Sequence, residues 1–169
     1  MNQLLESIDH VPEEGRLTLQ SARYLLVQPA LLVELQKALE TQIPSEASSV
    51  LARVSQTDGA TIGTRFKEVF SYSEEQVLSS FAFMLGESGW GATSVEMLNL
   101  ESKEIVLKVF DSPFAEEYGP SVNPVCHLLL GLFEGVAMAL FDTEVEGQEV
   151  QCSARGDGLC RFAVSAKSI

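Results

Sequence analysis

Three cysteines and one glutamate carry most of the chemistry this sequence can offer. Near its end the chain reads Glu149-Val-Gln-Cys152-Ser-Ala-Arg-Gly156-Asp157-Gly158-Leu-Cys160-Arg-Phe162. Two cysteines thus face each other across a turn rich in Gly and Asp, with a carboxylate three residues before the first. The remaining cysteine, Cys126, follows Asn123-Pro124 at the start of the long apolar segment. Thiolates and a carboxylate are competent zinc ligands, and three sulfurs with one oxygen fill a tetrahedron without leaving an open position. A filled shell points to a structural ion. In a flat strand, however, Glu149 and Cys152 lie on opposite faces, because side chains alternate with period two. Both reach one ion only if the strand twists, bulges or ends near Cys152. The competing reading keeps Cys126, Cys152 and Cys160 as buried reduced thiols, a common use of free cysteine.

The composition narrows what such a site could serve. At 169 residues the chain is most economically one domain with a real core. A net charge of −13 argues against a phosphate-backbone partner, since nucleic-acid binding draws on clustered Lys and Arg, and no basic stripe is present. The start, Met1 to Asp9, has neither a positive n-region nor a long apolar core, so it does not read as a secretory signal. The longest apolar run, Val125 to Phe141, is interrupted by His127, Gly131, Glu134 and Gly135 and is short for a membrane span. The expectation is a soluble, cytoplasmic protein, and an odd number of cysteines suits a reducing compartment.

The elements that must position these residues follow from pattern. Residues 1–15 read as a loose arm or short helix, and residues 16–169 as the single domain. Arg16 to Leu19 and Tyr24 to Val27 have strand composition. Pro29 opens a helix with Leu31, Leu32, Leu35 and Leu39 on one face. A second helix follows Pro44-Ser45, with Val50, Leu51 and Val54 inward, and stops at Asp58-Gly59. Gly59 and Gly63 then bracket a connection into a third helix carrying Phe66, Val69 and Phe70; a phosphate-cradling loop there lacks the Gly-rich frame and Lys it would need. Ser73-Glu74-Glu75-Gln76 is a capping box that starts a helix at Glu74. That helix bears Val77, Leu78, Phe81, Met84 and Leu85, and Gly86 and Gly89 end it beside Trp90.

A hairpin over 93–110 comes next, turning at Glu101-Ser102-Lys103. Residues 111–121 form the longest loop and a candidate lid. Asn123-Pro124 starts the central helix, which is apolar almost all round and carries Cys126 in its first turn. Inside it, His127 is a satisfied histidine or a polar contact at a pocket beside the metal. Glu134 escapes to an edge, pairs with an Arg or faces a cavity. The closing hairpin spans 143–153 and 159–166.

The stretch Pro124-Val-Cys126-His-Leu-Leu-Leu-Gly131-Leu-Phe-Glu-Gly135, followed by Glu149-Val-Gln-Cys152 and Gly156-Asp157-Gly-Leu-Cys160-Arg-Phe162, resembles the 4-vinyl reductase domain family. The C-terminal third carries the likeness, and the rest is compatible with it. The resemblance implies an α+β fold with helices packed on an antiparallel sheet, related to Bet-three-type TRAPP subunits and often dimeric. In the family's phenol-sensing activators a zinc is held by three cysteines and a glutamate, which here correspond to Cys126, Cys152, Cys160 and Glu149. Those sensors hold phenol with a His and a Trp; the nearest positions here are Phe81 and Val109 or Phe110. They are apolar, so a phenol hydroxyl would lose its partner.

The function expected is therefore a non-catalytic, zinc-containing, small-molecule-binding homodimer. Its pocket would be bordered by Phe81, Trp90, Val109, Phe110 and His127, and its ligand would be apolar or aromatic, for example a tetrapyrrole pigment or precursor. A scaffold or assembly factor acting through a protein partner is the second reading. A reductase-type enzyme using His127 or Glu134 comes last, since neither GxGxxG nor CxxC is present.

Overall fold

The computed structural model describes residues 6–19 and 22–167. Its core is an antiparallel sheet in the order β4-β5-β7-β6, made from Ala92–Asn99 (β4), Glu104–Phe110 (β5), Val145–Gln151 (β6) and Cys160–Ala166 (β7). Helices α3 (Glu74–Glu87) and α5 (His127–Phe141) pack on it, α2 (Ala47–Phe70) lies against α5, and α1 (Pro29–Gln42) lies against α4 (Pro113–Tyr118), a six-residue helix between β5 and α5 in sequence. This is the α+β arrangement expected from the pattern. Among the described residues no helix is long and apolar enough to cross a membrane.

Helix α5 is the buried centre. Leu129, Leu132, Phe133, Val136, Ala137, Leu140 and Phe141 join Phe81, Leu85, Ile105, Leu107, Val109, Phe162 and Val164 in one core. Phe133 meets Phe81 and Phe162 edge-on, at centroid distances of 6.3 and 4.9 Å. The last carbonyls of α5, which no helical N–H can reach, are capped from outside. Lys67 Nζ donates to the Ala139 oxygen at 3.1 Å, and Lys103 Nζ to that of Phe141 at 3.3 Å.

The capping box at Ser73 is present, with the Gln76 N–H donating to Ser73 and the Ser73 N–H to the Gln76 side chain. Several expectations need correction. Gly59 and Gly63 do not interrupt a helix: α2 runs unbroken through both. Their missing side chains let α2 lie against α5, where a Cβ on Gly59 would strike the Leu132 carbonyl and one on Gly131 the Ala52 carbonyl. The inward faces of the outer helices are also rotated. On α1 the buried pair is Val33 and Gln36, leaving Leu31 and Leu35 exposed, and on α2 Val54 is 67% exposed.

Finally, the segment expected to be a loose arm or short helix is in part sheet. Asp9–Val11 (β1), Arg16–Leu19 (β2) and Ala22–Tyr24 (β3) form a separate antiparallel sheet, with a turn over Pro12–Glu14 and Gly15 between the first two strands. The first five residues of the expected arm lie outside the described residues.

Glu134 takes none of the three courses expected of it. Half-buried, it accepts the Gly147 N–H at 2.8 Å and the Gln56 Nε2 at 3.2 Å, tying α5 to β6 and α2. Burial pushes its pKa up, outweighing the Gly147 hydrogen bond and the charge of Lys167. A carboxyl that holds its proton more readily when folded favours the fold in acid, and that contribution is lost as pH rises through the folded value. Glu134→Gln keeps an acceptor for Gly147 without the charge. Its stability should exceed wild type at pH 7 and converge with it in acid, read by urea unfolding at each pH; an unchanged gap would show that burial is not what perturbs this carboxyl.

Candidate metal centre

The four residues singled out by chemistry do converge. Ligating atoms of Cys126, Glu149, Cys152 and Cys160 lie within 4.8 Å of one another, and all four residues are buried. Each comes from a different local device. Cys126 is the N-cap of α5. Cys160 opens β7, and Cys152 follows the end of β6. Glu149 owes its place to a bulge: it pairs with Phe162 while Gln151 pairs with Arg161, so Val150 is the extra residue that re-aims the strand. That bulge resolves the period-two conflict between Glu149 and Cys152.

Backbone hydrogen bonds fix the donors. The Cys126 N–H donates to Glu149 Oε2 at 2.8 Å, and the Cys152 N–H to Asp157 Oδ2 at 2.8 Å. The Ser153 N–H lies 3.4 Å from the Cys160 sulfur, as does its hydroxyl. On the other side the Ser112 hydroxyl lies 3.3 Å from the Cys126 sulfur.

Protonation follows this geometry. Hydrogen bonds from Cys126, Cys152 and Ser153 pull the Cys160 thiol down to about 4, and hydrogen bonding to Cys152 and Cys160 with burial pushes Cys126 up. Burial, followed by the bond with Cys152, pushes Glu149 up to about 8.

The cluster suits a tetrahedral cation. Glu149 Oε1 is buried without a hydrogen-bond partner, while Oε2 is tied to Cys126, so one oxygen remains for a ligand bond. Zinc–thiolate bonds of about 2.3 Å in a tetrahedron separate sulfurs by about 3.8 Å. The Cys126 and Cys160 sulfurs stand 3.6 Å apart. Cys126, Glu149, Cys152 and Cys160 would hold a zinc, which would supply a fixed crosslink between the start of α5 and the β6–β7 hairpin. With all four donors supplied by the protein, such an ion would have a structural rather than a hydrolytic role.

The remaining candidates are scattered. Phe81 and Val109 are fully buried in the core, and Trp90 packs at its margin, 5.3 Å from the Phe114 ring of α4. Phe110 turns to the opposite face of β5 and is 45% exposed. His127 points toward α1, with Nε2 4.0 Å from Glu40, and burial lowers its pKa while Glu40 opposes this. Two clefts of about 600 and 490 Å³ lie elsewhere, the first along α2 and Met138, the second on β4–β7 around Met97 and Gly147.

Several participants have no clear signature in sequence. Gln36 donates to Val125 O and to Glu40, and Tyr118 donates to Glu40 at 2.6 Å, so α1 and α4 grip the segment next to Cys126. Ser112 is readable in principle, because Ser-Pro with proline at N1 is a helix start signal.

The chain is similar to several known proteins. Residues 105–166 match the model of the 4-vinyl reductase domain family. The phenol regulator MopR of Acinetobacter guillouiae is 28% identical over 94% of this chain, and the match spans 30% of its own length. The phenol-responsive sensory domain of the activator PoxR superposes with a TM-score of 0.82, at 21% identity over 96% of this chain and 86% of its own. A vinyl-4-reductase family protein from Methanocaldococcus jannaschii gives 0.61 at 14% identity, covering 86% and 84%. A trafficking protein particle complex subunit 3 from Naegleria fowleri gives 0.53 at 14%, covering 83% and 95%. The expected fold is borne out, as is the likeness to a phenol regulator, while the likeness to the trafficking subunit is one of fold.

Proposed function

We propose that this chain, whose residues 105–166 match the 4-vinyl reductase domain family, is a non-catalytic small-molecule-binding module, a sensor or carrier, built on structural zinc and working as a homodimer. The relation to a phenol regulator over 94% of the chain is the observation that carries it. The Cys126, Glu149, Cys152 and Cys160 cluster, with its unpartnered buried oxygen, supports the metal.

Ligand class follows from the apolar Phe81 and Val109, buried beside α5. A phenolic hydroxyl left unpaired there costs roughly 1–3 kcal/mol. An aromatic hydrocarbon-like ligand, or the apolar face of a tetrapyrrole, loses nothing of the kind. Dimerisation is supported by the N-terminal sheet. Strands of three or four residues with no core of their own do not hold by themselves. They lead into Leu25 and Leu26, exposed at 75% and 82%, and then to the bare Leu31 and Leu35 of α1. The same strip favours the second reading, a scaffold that grips a protein partner.

Native mass spectrometry of the protein from its host, followed by titration with toluene, phenol and a free porphyrin, tests all parts. The expected result is a dimer with one zinc per chain that binds toluene or porphyrin several-fold more tightly than phenol. A dimer that binds none of the three would favour the scaffold, and tighter binding of phenol would overturn the argument from Phe81 and Val109.

A further inference from the structure

Four anionic donors around a dication leave two negative charges in a buried site, and groups around the sulfurs must offset them. The hairpin supplies Ser153 N–H and hydroxyl to Cys160. Ser112 approaches from outside the hairpin. It is 2% exposed, and its hydroxyl oxygen accepts the Ala115 N–H at 3.4 Å as the N-cap of α4. With that lone pair engaged, the hydroxyl proton is free to point elsewhere, and the Cys126 sulfur is 3.3 Å away. A thiolate bound to a cation has no proton to give, so in the loaded site the serine is the donor.

Helix α4 passes this contact outward. Its Phe114 is buried against Trp90, and its Tyr118 bonds Glu40 of α1.

We propose that the Ser112 hydroxyl, capping α4 through its oxygen and donating to the Cys126 sulfur, couples metal loading to the seating of α4 and hence to the Trp90 wall of the domain. The inference rests on the metal reading above and adds to it a positioning residue that holds no ligand bond itself. Outer partners of this kind set ligand basicity and orientation, and their loss weakens metal binding by about 10- to 100-fold.

The chain's single tryptophan makes the coupling visible. Metal-free full-length protein is titrated with Co²⁺, reading thiolate-to-cobalt charge-transfer absorption and Trp90 emission together. Wild type should show the band and a change in Trp90 emission. Ser112→Ala should bind about 10- to 100-fold more weakly, move the band to lower energy because a sulfur has lost its donor, and leave Trp90 unresponsive even at saturation. Ser112→Thr should restore all three. Ser112→Asp retains an acceptor that caps α4 but has no proton to give, so it separates capping from donation; it should bind more weakly than wild type. Wild-type affinity and band position in both Ala and Asp variants would overturn the proposal, as would a saturated Ala variant whose Trp90 still responds. No charge-transfer band in wild type would instead overturn the metal reading itself.

Discussion

Cys152→Ser should abolish stoichiometric zinc and lower stability by several kcal/mol in protein purified without added metal. Metal binding contributes folding free energy because the site exists only in the folded chain. Here the ligands are drawn from two places far apart in sequence, the start of α5 and the β6–β7 hairpin. Removing one donor does more than remove an outer partner, whose loss already costs about 10- to 100-fold in affinity. It also leaves Cys126, Cys160 and Glu149 packed together in a buried site without the ion that would tie them. The decisive comparison adds a chelator. Wild type treated with chelator should melt close to the serine variant, and that variant should not fall much further. If metal-depleted wild type melts at its original temperature, the ion is not holding this fold.

A comparable loss is expected where no charge is involved. Gly131→Ala should prevent folding or destabilise by about 3 kcal/mol or more, beyond the 1–3 kcal/mol of ordinary overpacking. The obstacles to the new methyl are the Ala52 carbonyl and the Ser55 hydroxyl of α2, and backbone cannot step aside as a side-chain tip can. Gly135 meets the Gln56 carbonyl in the same way, so the two helices would have to separate along their length. Gly158→Ala is the control: nothing lies within 4 Å of its added methyl, and its effect should stay within about 0.5 kcal/mol in chemical denaturation. Equal effects at both positions would mean that the α2–α5 contact is not a tight seam.

These two sites also mark what can be read from sequence and what cannot. Ligand chemistry singles out Cys126, Glu149, Cys152 and Cys160 as candidates, because thiolates and a carboxylate are competent metal donors, and the closing hairpin follows from turn residues. The bulge at Val150 is needed for the cluster to form, yet nothing in its own residue type announces it. The Ser73 capping box is legible because its chemistry is local. Gly59 and Gly63 mislead because glycine is a helix breaker when judged alone. Only the opposing helix, with Leu132 against Gly59 and Val136 and Ala139 against Gly63, turns them into a contact surface. The same holds for Leu31, Leu35 and Val54: helical spacing finds an apolar stripe but not which stripe meets the core. Helix α4 hides inside a loop because its six residues are too few for a period to emerge.

The hydrogen bond from Gly147 to Glu134 reaches beyond local packing. Strand β6 lies at the rim of the sheet, where open amides invite a foreign strand to add on. One of those amides is already taken by a carboxylate rooted in the central helix, and a newcomer would have to displace it from a half-dry pocket. On that flank, strand addition would have to break a bond that belongs to the fold's interior rather than to its surface charge.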